Sequence, residues 1–236
     1  MSNIRLYYPD SIVENTTSLL SKEHTHYVVN VMRLKRGSNI NCFNKEGEWV
    51  SEVVFLEKDR VEVKFLNRVK ESIKSPSIEL AICLVKKNPM EIILQKATEL
   101  GVTKIIPIIS ERTEVKELNL ERANKIVIEA TEQSNQLSPP EISKITTLKN
   151  FMNNLNAANR IFFADINCNK KLKKEDIKVD NLKTILIGPE GDFTPAERKM
   201  ILENGNTIPF SLSKNILRTE TAAISALSLL NYPYDL

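Results

Sequence analysis

Ile187-Gly188-Pro189-Glu190-Gly191-Asp192-Phe193 follows an apolar run at 183–187 and leads into Thr194-Pro195. Two of the six glycines in the chain stand here, three positions apart, and glycine permits a sharp turn or a close backbone approach to a ligand. The proline between them stiffens the turn. Thr194-Pro195 matches an N-cap followed by proline at the first helical position. The pattern predicts a rigid loop joining a buried strand to a helix. A plain structural turn is the competing reading, because single motifs carry false positives.

A second stretch, Leu212-Ser213-Lys214-Asn215-Ile216-Leu217-Arg218-Thr219-Glu220-Thr221-Ala222-Ala223, carries an arginine and a glutamate from a loop into an apolar helix over 222–230. Thr219 or Thr221 is suited to cap that helix, and Glu220 in its first turn complements the helix dipole. Arg218 has no such justification, since a cation near a helix N-terminus is mildly unfavourable. It implies an anionic or polar partner.

Around these two loops the sequence alternates strands and helices. Strands are expected at 78–84, 103–109, 160–164 and 183–187, with a weaker one at 207–211. Asn88-Pro89 supplies an N-cap and first-turn proline for a helix that Gly101 closes, with Met90, Ile93, Leu94, Ala97 and Leu100 at helical spacing. A helix over 120–134 turns Ala123, Ile126, Val127 and Ala130 inward, and helices at 195–204 and 219–231 complete the series. This alternation predicts an α/β unit, a mostly parallel sheet covered by helices. Ligands of such sheets sit at the carboxyl ends of the strands, which directs attention to the loops after Ile187 and Ser211.

Residues before about 70 follow a different pattern. Strands are expected at 4–8, 39–43, 48–56 and 60–67, the last three separated by Lys45-Glu46-Gly47 and Lys58-Asp59. Val61, Val63 and Phe65 alternate with Glu62 and Lys64. Ser21 precedes a short helical stretch expected to place Tyr27, Val28, Val31 and Met32 on one face. Short strands with tight turns predict a small barrel. The polar, proline-containing segment 69–77 separates the two styles, and the boundary is placed between 72 and 73.

Composition narrows the function classes. The 236 residues, 42% hydrophobic and 27% charged, suit one large or two small soluble domains able to bury a core without disulfides or metals. A net charge of +3 from 33 basic and 30 acidic residues is too mild to prove nucleic-acid binding, so any RNA surface must come from local clustering. Arg33, Lys35 and Arg36 form one such cluster. Cys42, Cys83 and Cys168 form no C-x-x-C pair, which fits a reducing cytoplasm and argues against a zinc ribbon. No signal peptide or membrane span is visible, so a soluble, cytoplasmic protein is expected. Neither G-x-G-x-x-G nor G-x-x-x-x-G-K-[ST] occurs, which disfavours a Rossmann dinucleotide site and a P-loop. The charge-dense run 170–178 (KKLKKEDIK) is taken as a solvated face. His24 and His26 are taken as satisfied or exposed helix residues, and no metal-ligand set is visible.

Taken together, IGPEGDF and LSKNILRTETAA resemble the two cofactor-loop motifs of the ribosomal RNA small-subunit methyltransferase E family, in the SPOUT or α/β-knot superfamily. Further similarity runs through 26–37 (HYVVNVMRLKRG), 95–102 (QKATELGV), 110–116 (SERTEVK) and 129–142 (EATEQSNQLSPPEI), and so covers nearly the whole chain in order. The resemblance implies a PUA-like β-barrel RNA-binding domain over 1–72 and a trefoil-knotted SPOUT methyltransferase domain over 73–236. It implies S-adenosyl-L-methionine as cofactor, held by Ile187, Gly188, Pro189, Glu190, Gly191, Leu212, Ser213, Asn215, Ile216, Leu217, Thr221 and Ala222. It further implies a homodimer and 16S rRNA of the small ribosomal subunit as substrate; RNA contacts are expected at Arg33, Lys35, Arg36 and Arg112. Three positions depart from the family pattern: Asp192 and Ser213 stand where glycine is usual, and Gln136 where arginine is common. Asp tolerates positive φ better than most residues, so the turn at 192 is expected to survive. Ser213 is expected to narrow the cofactor pocket.

The implied reaction is methylation of N3 of a uridine in the decoding region. N3 carries a proton and is a poor nucleophile until that proton leaves, so the uridine anion must be stabilised. A preorganised guanidinium suits this task. Arg218 is the candidate, with Glu220 orienting the loop or assisting proton removal. Two alternatives stand beside this reading: a non-catalytic RNA-binding or ribosome-assembly protein of the same fold, motivated by Asp192 and Ser213, and a transfer-RNA methyltransferase of the same superfamily.

Overall fold

Period-two alternation governs the N-terminal part of the computed structural model, which describes residues 4–72, 77–155, 159–177 and 182–231. β1 (Arg5–Tyr7), β2 (Thr17–Leu19), β3 (Asn39–Asn44), β4 (Gly47–Leu56) and β5 (Val61–Glu71) form a sheet in the order β1-β3-β4-β5-β2. The β1–β3 pair is parallel and the others antiparallel. Val61, Val63 and Phe65 are buried, as the alternation requires, with Leu6, Val28, Ile40, Cys42 and Val53. Register shifts at Glu48/Trp49, Trp49/Ser51 and Val53/Phe55 curl the sheet, since each bulge adds local twist. Gly47 is required where β4 begins, because a Cβ there would meet Lys70 O and Arg68 Nε at 2.5 Å.

α1 (Lys22–His26), capped by Ser21 Oγ accepting from His24 N–H, continues into a π-helical turn, Tyr27–Val31. This corrects the expected apolar face. Val28 is buried, but Val31 and Met32 are exposed. The wider turn, closed by Met32 N–H on the Tyr27 carbonyl, carries both residues past the stripe that ordinary helical spacing predicts.

This first unit comprises Met1–Lys74 and also Thr131–Ser138. Arg5 fastens the second segment. Its guanidinium pairs with Glu48 at 3.0 Å, donates to the carbonyls of Thr131, Glu132 and Gln136, and lies over the Phe43 ring. His24 Nε2 and the Tyr7 N–H both reach Glu132 Oε1 at 2.9 Å, and His26 bonds Asn30. The boundary expected between 72 and 73 adjoins residues 73–76, which lie outside the described residues.

The second unit, Ser75–Ala130 with Pro139–Leu236, is built on parallel strands. Along the chain from residue 78 come β6 (Ile78–Cys83), α2 (Lys87–Glu99), β7 (Lys104–Ile109), α3 (Leu120–Gln133, its residues from Thr131 on counted with the first unit), β8 (Glu141–Ile142), β9 (Thr146–Thr147), α4 (Leu148–Asn153), β10 (Arg160–Ala164), α5 (Lys174–Ile177), β11 (Lys183–Ile187), α6 (Pro195–Glu203), β12 (Thr207–Phe210) and α7 (Thr219–Asn231). The sheet order is β12-β10-β11-β6-β7-β8, with β9 also pairing β7, and every pair is parallel.

Both faces of this sheet are covered. Leu80, Ile82, Phe162, Ile185 and Ile187 pack with Ile93, Val127 and Leu227 from α2, α3 and α7. Ala81, Cys83, Ile161, Phe163 and Leu186 pack with Phe151, Met152 and Ile201 from α4 and α6. Alternate residues of the same strand thus serve opposite cores, which is why these strands are apolar throughout.

The start of α2 corrects the expectation at Asn88. Lys86 is the N-cap, without a side-chain cap bond, so Pro89 is the third helical residue. Proline is tolerated there because the first four helical N–H groups have no partner within the helix. At the other end Gly101 takes φ +79°, with its N–H on Thr98 O and the Val102 N–H on Ala97 O, a Schellman termination.

Candidate active site

Parallel strands place their carboxyl ends on one edge, and the loops leaving β6, β10, β11 and β12 meet there around a cleft of about 800 Å³. One wall is Ile187, Gly188, Pro189, Glu190 and Asp192; the facing wall is Ile216, Leu217, Arg218, Thr219, Glu220 and Ala222. Lys86 to Pro89 close one side, and Ala164 and Ile166 lie at the base of the loop after β10. A smaller hollow of about 90 Å³ continues from it, lined by Leu212, Ser213, Lys214 and Asn215 with Asp165 and Ser211. The cleft and hollow therefore bring together ten of the twelve expected cofactor residues. Gly191 and Thr221 belong to the same loops but to neither lining.

The turn at 187–193 is held from beneath. Asp192 N–H donates to Pro189 O at 3.0 Å, and Asp192 takes φ +59°, the left-handed region that glycine ordinarily fills. Its Oδ2 accepts from Asn167 Nδ2 at 3.4 Å. Gly188, on the cleft wall, also makes room within its own loop. A Cβ at 188 would meet the Phe193 ring at 3.1 Å, and that buried ring packs edge-on to Phe163 with centroids 5.7 Å apart. The glycine admits the aromatic anchor of its own loop.

Two further side chains brace this loop. Thr194 and Glu197 form a reciprocal capping box at α6. Buried Glu197 also accepts from the Glu111 N–H at 2.8 Å. Arg112 Nη1 donates to Gly191 O at 3.0 Å, so this expected RNA contact is engaged with the loop. Beside them Arg198 makes a two-pronged pair with buried Asp165, at 2.8 Å for Nη2. The carboxylate beside it keeps the Arg198 guanidinium pKa above its ordinary value.

On the opposite wall Ala222 N–H bonds Arg218 O at 2.8 Å, which puts Arg218 in the cap position of α7. Neither Thr219 nor Thr221 caps the helix; both lie within its first turn, Thr219 buried and Thr221 exposed. The Arg218 side chain is exposed, and Glu220 is half-buried. Among the described residues neither has an ion pair. Ile216 is 87% exposed and Ile166 59%, two large apolar side chains on the cleft left uncovered among the described residues. Arg33, Lys35 and Arg36 are exposed residues of the first unit, and Arg33 takes φ +49°. Among the described residues no cluster of three or more His, Cys, Asp or Glu is arranged to hold a metal, and no helix is long and apolar enough to cross a membrane.

A family model described as an RNA methyltransferase domain matches residues 71–231, and one described as an RNA methyltransferase PUA domain matches 20–66. The ribosomal RNA small subunit methyltransferase E of Rickettsia conorii is 34% identical over 235 residues, covering 95% of this chain and 93% of its own. The chain belongs to the ribosomal RNA small subunit methyltransferase E family. The family member of Bacillus subtilis is 30% identical over 95% of this chain and 93% of its own. A methyltransferase E structure from Neisseria gonorrhoeae, bound to S-adenosyl methionine, matches with a TM-score of 0.88 and 31% identity, covering 97% of both chains. A Legionella pneumophila methyltransferase solved with bound cofactor SAM matches with a TM-score of 0.87 and 29% identity, covering 98% of this chain and 97% of its own. A PUA domain toward the N-terminus and an RNA methyltransferase domain after it agree with what the resemblance implied.

Several residues in and around this candidate site were not singled out from sequence. Lys86 and Lys87 reach the cleft because α2 starts earlier than Asn88. Asp165 and Arg198 carry no local signal, since they lie 33 positions apart, and the bond from Glu111 N–H to Glu197 spans 86. Glu197, three residues after Thr194, could have been found as the second half of a T-x-x-E capping box.

Proposed function

We propose that this protein transfers a methyl group from S-adenosyl-L-methionine to N3 of a uridine in the decoding region of 16S rRNA. The observation that carries the reading is the cleft between 187–192 and 216–222, with the guanidinium of Arg218 on its wall and unpaired among the described residues. Its volume falls within the roughly 300–1,000 Å³ of small-molecule sites. Exposed Ile166 and Ile216 suit the apolar faces of a nucleoside, and the loop main chain around Gly188 and Pro189 suits its polar edges. Ile187, Gly188, Pro189, Glu190 and Gly191 on one side, and Leu212, Ser213, Asn215, Ile216, Leu217, Thr221 and Ala222 on the other, would hold the cofactor. When bound, it supplies an electrophilic methyl group whose carrier leaves uncharged.

The chain's own residues do the rest. Arg218 stabilises the negative charge that spreads to O2 and O4 of the uridine once N3 loses its proton. Glu220, at the start of α7, orients that loop or receives the proton. The walls fix N3 in line with the methyl carbon, a positional contribution of several kcal/mol, on the order of 7–11 at most. Arg33, Lys35 and Arg36 on the PUA-like domain, 1–72, contact RNA, and Arg112 contributes from the methyltransferase domain, 73–236. The trefoil crossing of the two cofactor loops, a homodimer and a cytoplasmic location belong to the same reading.

Asp192 and Ser213 favoured a non-catalytic relative. Asp192 holding the left-handed turn that glycine ordinarily provides speaks against a collapsed cofactor loop. The test is transfer of labelled methyl to small subunits and to transfer RNA. Label in the small-subunit RNA is expected, with kcat in Arg218→Ala reduced about 10²–10³-fold, the cost of one transition-state donor. Label only in transfer RNA, or none, would reject the reading.

A further inference from the structure

The basic run at 170–173 is unused by the function described so far. Leu172 packs half-buried against the sheet core, and Ile177 is buried beyond it, so the segment is anchored. Lys170, Lys171 and Lys173 on either side of Leu172 are exposed, and among the described residues none has an ion pair. The nearest acid in sequence that bonds the run, Asp176, spends Oδ2 on the main-chain N–H of Lys173 at 2.9 Å.

The anchoring also places the run. Ser211 N–H donates to Lys170 O at 2.8 Å, and Ser211 lines the hollow that continues the cleft, as does Lys214. At its start the same connection bonds the cofactor loop through Asn167 and Asp192. Like charges held side by side on fixed backbone repel one another. Such an arrangement is relieved by a polyanion.

We infer that Lys170, Lys171 and Lys173 form a phosphate-contacting surface beside the cleft, which takes the substrate RNA backbone on the catalytic unit itself. The inference rests on the proposed RNA methylation at that cleft. Phosphate contacts of this kind add affinity without base specificity and weaken as salt rises.

The test compares the full chain with K170Q/K171Q/K173Q and with a charge-matched control, K58Q/K125Q/K149Q, whose lysines are exposed elsewhere. Small subunits lacking the methyl group are the probe, and S-adenosylmethionine binding is measured in parallel. The run variant is expected to bind subunits at least about tenfold more weakly, with a log–log salt slope shallower by about 2, from roughly 0.7 per contact. Its cofactor affinity is expected to equal that of the wild type, which also reports a folded protein. Unchanged affinity and slope, or an equal loss in the control, overturn the inference. A wild type that binds subunits through the run yet methylates none would reject the catalytic reading and leave this surface standing.

Discussion

Asp192 shows how a single residue holds a left-handed turn without glycine. Its φ of +59° costs an ordinary side chain about 1–2 kcal/mol, and the short carboxylate offsets part of this through Asn167. Asp192→Gly is therefore expected to keep cofactor affinity within about threefold. Asp192→Val, β-branched and without an acceptor, is expected to lose about 1–2 kcal/mol of stability and to bind S-adenosylmethionine measurably more weakly by calorimetry. Equal affinity in the two variants would show that the turn is not what shapes the wall. Gly188→Ala acts one step further in. A methyl group 3.1 Å from the Phe193 ring overpacks the anchor, at a cost of about 1–3 kcal/mol, read as a lower melting temperature. The thiols also sort by position. Burial pushes Cys42 and Cys83 up to about 12, so both stay protonated and unreactive at neutral pH. A thiol reagent followed by mass spectrometry is expected to label half-buried Cys168 first, and Cys42 and Cys83 only on unfolding.

Elements differ in how plainly the sequence announces them. β10, β11 and α7 have the expected boundaries because apolar runs of strand length and a long apolar helix leave no rival reading. β2, β8 and β9 are two or three residues long, too short for any periodicity. The π-helical turn defeats a 3.6-residue template outright, as Val31 and Met32 show. The residues of the two cleft loops were legible because each loop is a contiguous motif, whereas their supports are assembled from distant segments. Arg198→Met tests one such support. It leaves Asp165, 1% exposed at its side chain, as an unpaired buried carboxylate. A loss of about 3 kcal/mol is expected, the lower end for a broken buried pair, since Arg198 is a third exposed. A change below about 0.5 kcal/mol in denaturant unfolding would show that the pair does not hold the loops after β10 and β11.

At the scale of the whole molecule, two units follow from two sequence styles, alternation by two in the first and strand–helix alternation in the second. The exception is Thr131–Ser138, which joins the first unit through carbonyl acceptors for Arg5. Main-chain acceptors leave no trace in side-chain pattern, so a boundary drawn from composition misses them. The central claim concerns the chemistry of the cleft, and one measurement addresses it most directly. Small subunits from cells with and without this protein are compared by mass spectrometry of 16S rRNA fragments, and the purified chain with S-adenosylmethionine is added back to the deficient subunits. The account predicts one methyl group on uridine N3 in the decoding region, absent without the protein, restored by the wild type and not by Arg218→Ala. An unmethylated uridine in both strains, or restoration by Arg218→Ala at the wild-type rate, would contradict it.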